Sequence, residues 1–220
     1  QNLGISLSRN KLIDLAQGEY LAIMDHDDIS LPSRFAKQVE FLDLNRNVGV
    51  VGCNSYYMVR GEEVKYPINN EEIQEALLFG CSVCHPASMI RKSILIDNNI
   101  RYENEFNPAE DYALWCRLIG KTEFHNIPEV LFHYRDHSEN TTNKRPKKIH
   151  NTTLAIQYFA RKQNAFMWEI ANKKTNTLCS IKLFDFIPFL KIVKKNNKTK
   201  YFLFGFILLF SSKTMIRLDS

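Results

Sequence analysis

The stretch Tyr20-Leu21-Ala22-Ile23-Met24-Asp25-His26-Asp27-Asp28 decides the reading of the fold. Five apolar residues run straight into three carboxylates. An unbroken apolar run of that length is expected to form a strand buried on both faces, as in a parallel sheet. The acids then stand at its carboxyl end, where open α/β sheets bind ligands. Asp25 and Asp27 are two residues apart, so an extended backbone points both to one side. Their repulsion is relieved by a cation between them, and oxygen ligands suit Mg2+ or Mn2+. The alternative is a solvated acidic turn that merely ends a strand.

Working outward, Ile5 to Gln17 is expected to be a helix with Ile5, Leu12, Leu15 and Ala16 on one stripe and Gly18 as its stop. After the acids, Ser30-Leu31-Pro32 opens a second helix, with Ser30 as cap and Phe35, Val39 and Leu42 as the buried face. Val48 to Val59 has the β-branched and aromatic content of a strand, turned by Arg60-Gly61-Glu62 into a short partner ending at Pro67. Asn69 to Phe79 is a helix with Glu71 and Glu72 in its first turn. Pro86 to Arg91 is a short buried strand followed by a helical turn through Ile96. Pro108 to Leu118 is a helix opening on Ala109-Glu110-Asp111, and Thr122 to Arg135 gives two strands broken near Pro128. The alternation predicts an α/β fold with a mixed sheet flanked by helices. From Pro146 the chain turns lysine-rich and glycine-poor, so the expected division is 1–145 and a C-terminal helical region, 146–220.

The totals agree with one α/β domain and a tail. The chain has 220 residues, 45% hydrophobic and 24% charged, with net charge +5. This mildly basic balance suits an anionic substrate or membrane surface and is too small to argue for nucleic acid. The chain opens on Gln1 and no charged-then-apolar leader follows, so no signal peptide is expected. Five scattered cysteines favour a reducing compartment. The pattern Cys81-Ser82-Val83-Cys84-His85 matches a haem-attachment motif, but it lies inside a block better explained below.

Three blocks share one resemblance. Asn2-x-Gly4 through Ser8-Arg9-Asn10, Ala16-x-Gly18-Glu19-Tyr20, and Asp25-His26-Asp27-Asp28 with Pro32 resemble the centre of a family 2 glycosyltransferase of GT-A, Rossmann-like fold. His85-Pro86 with Met89-Ile90-Arg91-Lys92-Ser93 resembles the acceptor-side strand. Glu110-Asp111-Tyr112-x-Leu114-Trp115-x-Arg117-Leu118 resembles the catalytic helix, and Tyr134-Arg135-x-His137 the segment that closes over the diphosphate. Blocks in this order over residues 1–140 are far more specific than any one of them. The family's first nucleotide-binding strand lies before the first block, so the expectation is a domain that lacks it.

The resemblance implies an inverting transfer of a sugar from a nucleotide-diphosphate donor, a UDP-sugar foremost, to an acceptor hydroxyl in cell-surface polysaccharide, lipopolysaccharide or glycan synthesis. It implies a divalent metal, with Asp27 as direct ligand, Asp25 on ribose or a metal-bound water, and His137 as third ligand. Asp111 would be the general base, supported by Glu110. Arg9, Asn10 and Arg135 would contact the donor, and His85 and Trp115 the acceptor. Each has a plainer reading: surface arginines, a packed histidine, a core tryptophan, acids that complement a helix dipole. Residues 182–217 mix lysines with the uncharged run Tyr201–Phe210, too short to span a bilayer as a helix. An interfacial or re-entrant helix, or an ordinary buried one, is expected there. The location implied is cytoplasmic, at the inner face of the membrane, facing a saccharide or lipid-linked acceptor. The alternative function is a catalytically incomplete binding subunit at the membrane.

Overall fold

In a computed structural model, residues 3–137, 140, 144, 146–186, 190–195, 198–203 and 206–210 are described. The chain divides into two compact units, Gln1–Trp168 and Glu169–Ser220.

The first unit is built on a six-stranded mixed sheet. Its strands are β1 (Tyr20–Ala22), β2 (Ile29–Ser30), β3 (Val48–Tyr57), β4 (Glu62–Val64), β5 (Met89–Arg91) and β6 (Glu123–Tyr134). Their order is β1-β5-β3-β6-β2, with β4 added to β3. β3 and β6 are parallel, and the other pairs are antiparallel. β3 lies at the centre because its first eight residues are buried. Its neighbours come so close that a Cβ on Gly49 or Gly52 would collide with Thr122 Oγ1 or Asn126 Oδ1. Leu42, Val51, Met89, Ile127 and Phe132 fill the core beneath.

Helices α1 (Ile5–Leu15), α2 (Arg34–Leu44), α3 (Asn70–Leu77), α4 (Lys92–Asp97), α5 (Glu110–Leu118) and α6 (Pro146–Gln163) belong to this unit. α3 starts where expected: Asn69 caps it by accepting from Glu72 N–H at 3.1 Å. α6 packs on α5 and bonds the end of α3, Arg161 Nε donating to Leu78 O at 2.8 Å.

Several expectations fail for identifiable reasons. The run 20–24 is not buried on both faces: β1 is three residues long, half-buried, and sits at an end of the sheet beside antiparallel β5. Ser30 caps nothing, because it lies in β2 paired with Phe132. The inner face of α2 is Arg34, Gln38 and Leu42 rather than Phe35, Val39 and Leu42; Phe35 is 45% exposed. Pro128 does not break its strand, since β6 absorbs it in a register shift against β3.

Helix α7 (Ala165–Phe186) begins in the first unit and runs into the second. The second unit then forms an antiparallel sheet of β7 (Leu190–Lys195), β8 (Lys198–Leu203) and β9 (Phe206–Phe210). The described residues of the run 201–210 therefore belong to the strands Lys198–Leu203 and Phe206–Phe210, not to a helix. Its β-branched, aromatic and leucine content pairs β8 with β9 and β7. The side chains of 176–220, and residues 187–189, 196–197, 204–205 and 211–220 altogether, lie outside the described residues, and with them the expected lysine contacts of 182–217 to lipid. Among the described residues no helix is long and apolar enough to cross a membrane.

Candidate active site

The acidic turn is held in place from three directions. Ile23 N–H donates to Ser88 O at 2.9 Å, which continues the β1–β5 pairing up to the acids. Beneath it lies Arg34, fully buried, whose guanidinium donates to Ile23 O at 3.0 Å and to Pro86 O at 2.8 Å. A buried guanidinium requires such partners, and these two carbonyls fix the strand end against the turn that carries His85. From the far side comes the chain after β6. Arg135 N–H donates to Asp28 Oδ1 at 2.7 Å, and Arg135 Nε to Asp27 O at 2.8 Å. His137 Nε2 lies 3.0 Å from Asp27 Oδ2.

The three carboxylates thus differ. Asp27 is partly exposed, and its hydrogen bond with His137 holds its carboxyl below the usual range. Asp28 is buried at 8% exposure, and that burial pushes its carboxyl up to about 6. Asp28 acts as an anchor for the returning segment. Asp25 faces Arg9, whose Nη2 is 3.6 Å from Asp25 Oδ1.

Arg9 reaches both acidic groups. Its Nη1 donates to Glu110 Oε1 at 3.0 Å, across 101 positions of sequence. Its guanidinium also lies over the Tyr102 ring at 5.4 Å. Glu110 is buried at 5% exposure at the start of α5. Asp111, next to it, is partly exposed, and its Oδ1 accepts from Tyr112 N–H at 2.7 Å. Burial pushes the Asp111 carboxyl up to about 6, with Glu110 adding to the effect. That places a carboxylate that is ionised at neutral pH yet more basic than usual at a helix start.

The other expected contacts are placed differently. Asn10 gives both amide groups to the backbone of Tyr102: Nδ2 donates to Tyr102 O at 2.8 Å and Oδ1 accepts from Tyr102 N–H at 2.9 Å. It therefore fastens α1 to the loop before α5. His85 is buried at 4% exposure and bonds Tyr102 Oη at 2.8 Å. Trp115 is fully buried, tilted against His85 and edge-on to Phe124. Neither presents surface to an acceptor here. Arg34 and Tyr102 also organise the site, and neither stands out in the sequence. A buried arginine on α2 carries no signal in the sequence beyond its i, i+4, i+8 spacing with Gln38 and Leu42.

A cleft of about 520 Å³ lies between α1 and β1, with Leu12, Ile13, Leu21 and Ile23 as walls and Arg9 and Asp25 at its polar end. Among the described residues no three His, Cys, Asp or Glu side chains cluster as a preformed metal cage. Asp27 and His137 nevertheless offer an oxygen and an imidazole side by side. Mg2+ and Mn2+ sites that complete their shell with water and substrate phosphate need no more from the protein.

Residues 1–98 match the family described as Glycosyl transferase family 2. An uncharacterized glycosyltransferase of Methanocaldococcus jannaschii is 29% identical over 182 residues, covering 77% of this chain and 62% of its own length. The O-antigen biosynthesis glycosyltransferase WbnJ of Escherichia coli is 29% identical over 166 residues, covering 72% of this chain and 64% of its own. This chain therefore spans less than two thirds of these relatives. The crystal structure of S. aureus TarS 1-349 in complex with UDP-GlcNAc is similar with a TM-score of 0.52 at 18% identity, over 70% of this chain and 46% of that one. That likeness is one of fold.

Proposed function

Given that this chain carries a family 2 glycosyltransferase domain of GT-A type, we propose that its acidic site moves a sugar from a nucleotide-diphosphate donor to an acceptor hydroxyl. The observation that supports this most is Arg9, which touches Asp25 at 3.6 Å and Glu110 at 3.0 Å and so draws the donor-side turn and the start of α5 together.

In this reading Asp111 is the general base. Its carboxyl, pushed up to about 6, is ionised at neutral pH and takes the acceptor hydroxyl's proton as the oxygen attacks the anomeric carbon. The sugar–phosphate bond breaks on the opposite side and the nucleoside diphosphate leaves with the bonding pair, so the anomeric centre inverts. Arg9 holds Glu110 in place beside the base through their 3.0 Å bond, a positioning role in place of a phosphate contact. Arg135 uses Nε on Asp27 O and offers its Nη groups to the diphosphate. Asp27 and His137 would hold Mn2+ or Mg2+, and Asp25 the ribose or a metal-bound water. A metal there supplies charge neutralisation for the departing diphosphate.

The donor proposed is a UDP-sugar, in line with the UDP-GlcNAc bound by TarS. The acceptor proposed is a saccharide, free or lipid-linked, at the cytoplasmic face, in line with the O-antigen role of WbnJ. The second reading, a catalytically incomplete binding subunit, draws on β1 standing at an end of the sheet with Leu12 and Leu15 of α1 each 65% exposed beside it. A panel of nucleotide sugars, assayed for hydrolysis and transfer with Mn2+, separates the two. The enzyme reading expects turnover of one UDP-sugar that Asp111→Asn abolishes while donor affinity stays within about twofold, since the base touches the acceptor. Donor binding without turnover in the parent would favour the binding subunit.

A further inference from the structure

Away from the acidic site, α6 carries a face that the proposed sugar transfer does not use. Residues 140–168 contain Lys144, Arg145, Lys147, Lys148, Arg161 and Lys162 and no Asp or Glu. One side of α6 is packed, with Ile156 and Ala160 each 2% exposed. Arg161 is drawn to that side, its guanidinium lying 4.2 Å from the centre of the Trp168 ring. The other side is open. Lys147, Leu154, Tyr158 and Lys162 fall on one stripe of the helix, Lys147 two turns before Leu154 and the others one turn apart, with Lys148 and Phe159 flanking it. Leu154 is 51% exposed, Tyr158 62% and Phe159 51%; Phe166, in the first turn of α7, is 79% exposed.

Three large apolar side chains of α6, Leu154, Tyr158 and Phe159, thus stand in water between lysines at either end, with the Tyr158 and Phe159 rings 5.6 Å apart. Isolated exposed apolar residues are ordinary, but a contiguous group with a basic border marks a surface that is covered in use. From this pattern we infer that the open face of α6 docks on an anionic lipid surface. The aromatic and leucine side chains enter the headgroup boundary, and the lysine stems lie along it with their ammonium groups among the phosphates. The lysines stand at both ends of the stripe, about 22 Å apart along the axis, which suits a flat charged plane. A second copy of the chain fits poorly. A two-fold contact through this face would set lysines against lysines, with no carboxylate on either helix to neutralise them.

α6 packs directly on α5, the helix that carries Glu110 and Asp111. Docking therefore brings the proposed base near the surface where a lipid-linked acceptor resides; this last step rests on the transfer reading, whereas docking itself does not.

The test is flotation of the full chain with two kinds of vesicle, phosphatidylcholine alone and phosphatidylcholine with one third phosphatidylglycerol. Two triple variants are compared, K147E/K148E/K162E and Y158S/F159S/F166S, each first checked for an unchanged thermal transition. The parent is expected to float with the anionic vesicles and not the neutral ones. Charge reversal should weaken that partition by about a hundredfold or more, from the loss of three surface lysines, and the aromatic variant should also lose it. Flotation of both variants at the parent level, or no flotation of the parent, would overturn the proposal. So would a parent dimer that the aromatic variant dissolves, or tighter binding to polyglutamate than to anionic vesicles, which assigns the face to an acidic protein. No donor or turnover enters the assay, so its failure leaves the transferase reading standing, and the reverse holds as well.

Discussion

Arg9→Ala is the most informative single change in the cleft. It removes the 3.0 Å bond to Glu110 and the 3.6 Å pairing with Asp25 together. Glu110 has a side chain only 6% exposed, and its Oε2 already lacks a protein partner. Without Arg9 both carboxylate oxygens are buried and unpaired. Removing one partner of a buried pair costs roughly 3–5 kcal/mol. The Arg9 side chain is 18% exposed, so water recovers part of that. The expected loss is about 2–3 kcal/mol at pH 7. Glu110→Gln in the Arg9→Ala background removes the stranded charge, so the double variant should be more stable than the two single losses predict by about 1–2 kcal/mol. Arg9→Lys should fall between, keeping the charge but not the two-nitrogen fork that reaches both acids. Urea unfolding followed by the fluorescence of Trp115 and Trp168 measures the parent, the three single variants and the double variant. A loss below about 0.5 kcal/mol for Arg9→Ala, additive with Glu110→Gln, would refute the claim that Arg9 ties the two acidic groups together.

Other outcomes follow from the same geometry. Asp28, ordinarily near 3.8 and here about 6, holds its proton more tightly folded than unfolded. Its contribution to stability is therefore complete below pH 4 and lost as pH rises through 6, and Asp28→Asn should flatten that fall by about 3 kcal/mol. Chemical denaturation at several pH values checks it, and an unchanged slope refutes it. Transfer should rise as pH passes through about 6, because Asp111 must be ionised to take a proton. A rate profile flat from pH 5 to 8 would remove Asp111 as the base. Asp27→Asn should weaken Mn2+-dependent donor binding by tenfold or more, the weight of a lost charged contact, and calorimetry that shows the same metal dependence as the parent would exclude Asp27 from the site.

Much of this architecture was legible in the chain. The hydrophobic runs and breakers located nearly every element, since β3, α3 and α5 obey local rules of burial, capping and charge. The acid motifs were legible because three carboxylates in four residues need a reason to be there. What escaped reading depended on distant partners. Arg34 looks like a surface residue until two carbonyls, Ile23 O and Pro86 O, close on it. Asn10 and His85 fit a ligand site by type, but Tyr102, about ninety and seventeen positions away, takes their polar groups. Asp28 anchors a segment 107 positions away. β8 and β9 were missed because a short apolar run carries no period that separates strand from helix.

The central claim is that the turn 25–28, the segment at His137 and the start of α5 face one cleft. Paramagnetic broadening by Mn2+ tests it directly on the assigned amide spectrum, without turnover. The account predicts the strongest loss of signal at Asp25 to Asp28 and Arg135 to His137, with clear loss at Glu110 and Asp111, all reversed by Asp27→Asn. Broadening confined to the acidic turn, with the amides of Glu110 and Asp111 untouched, would contradict it.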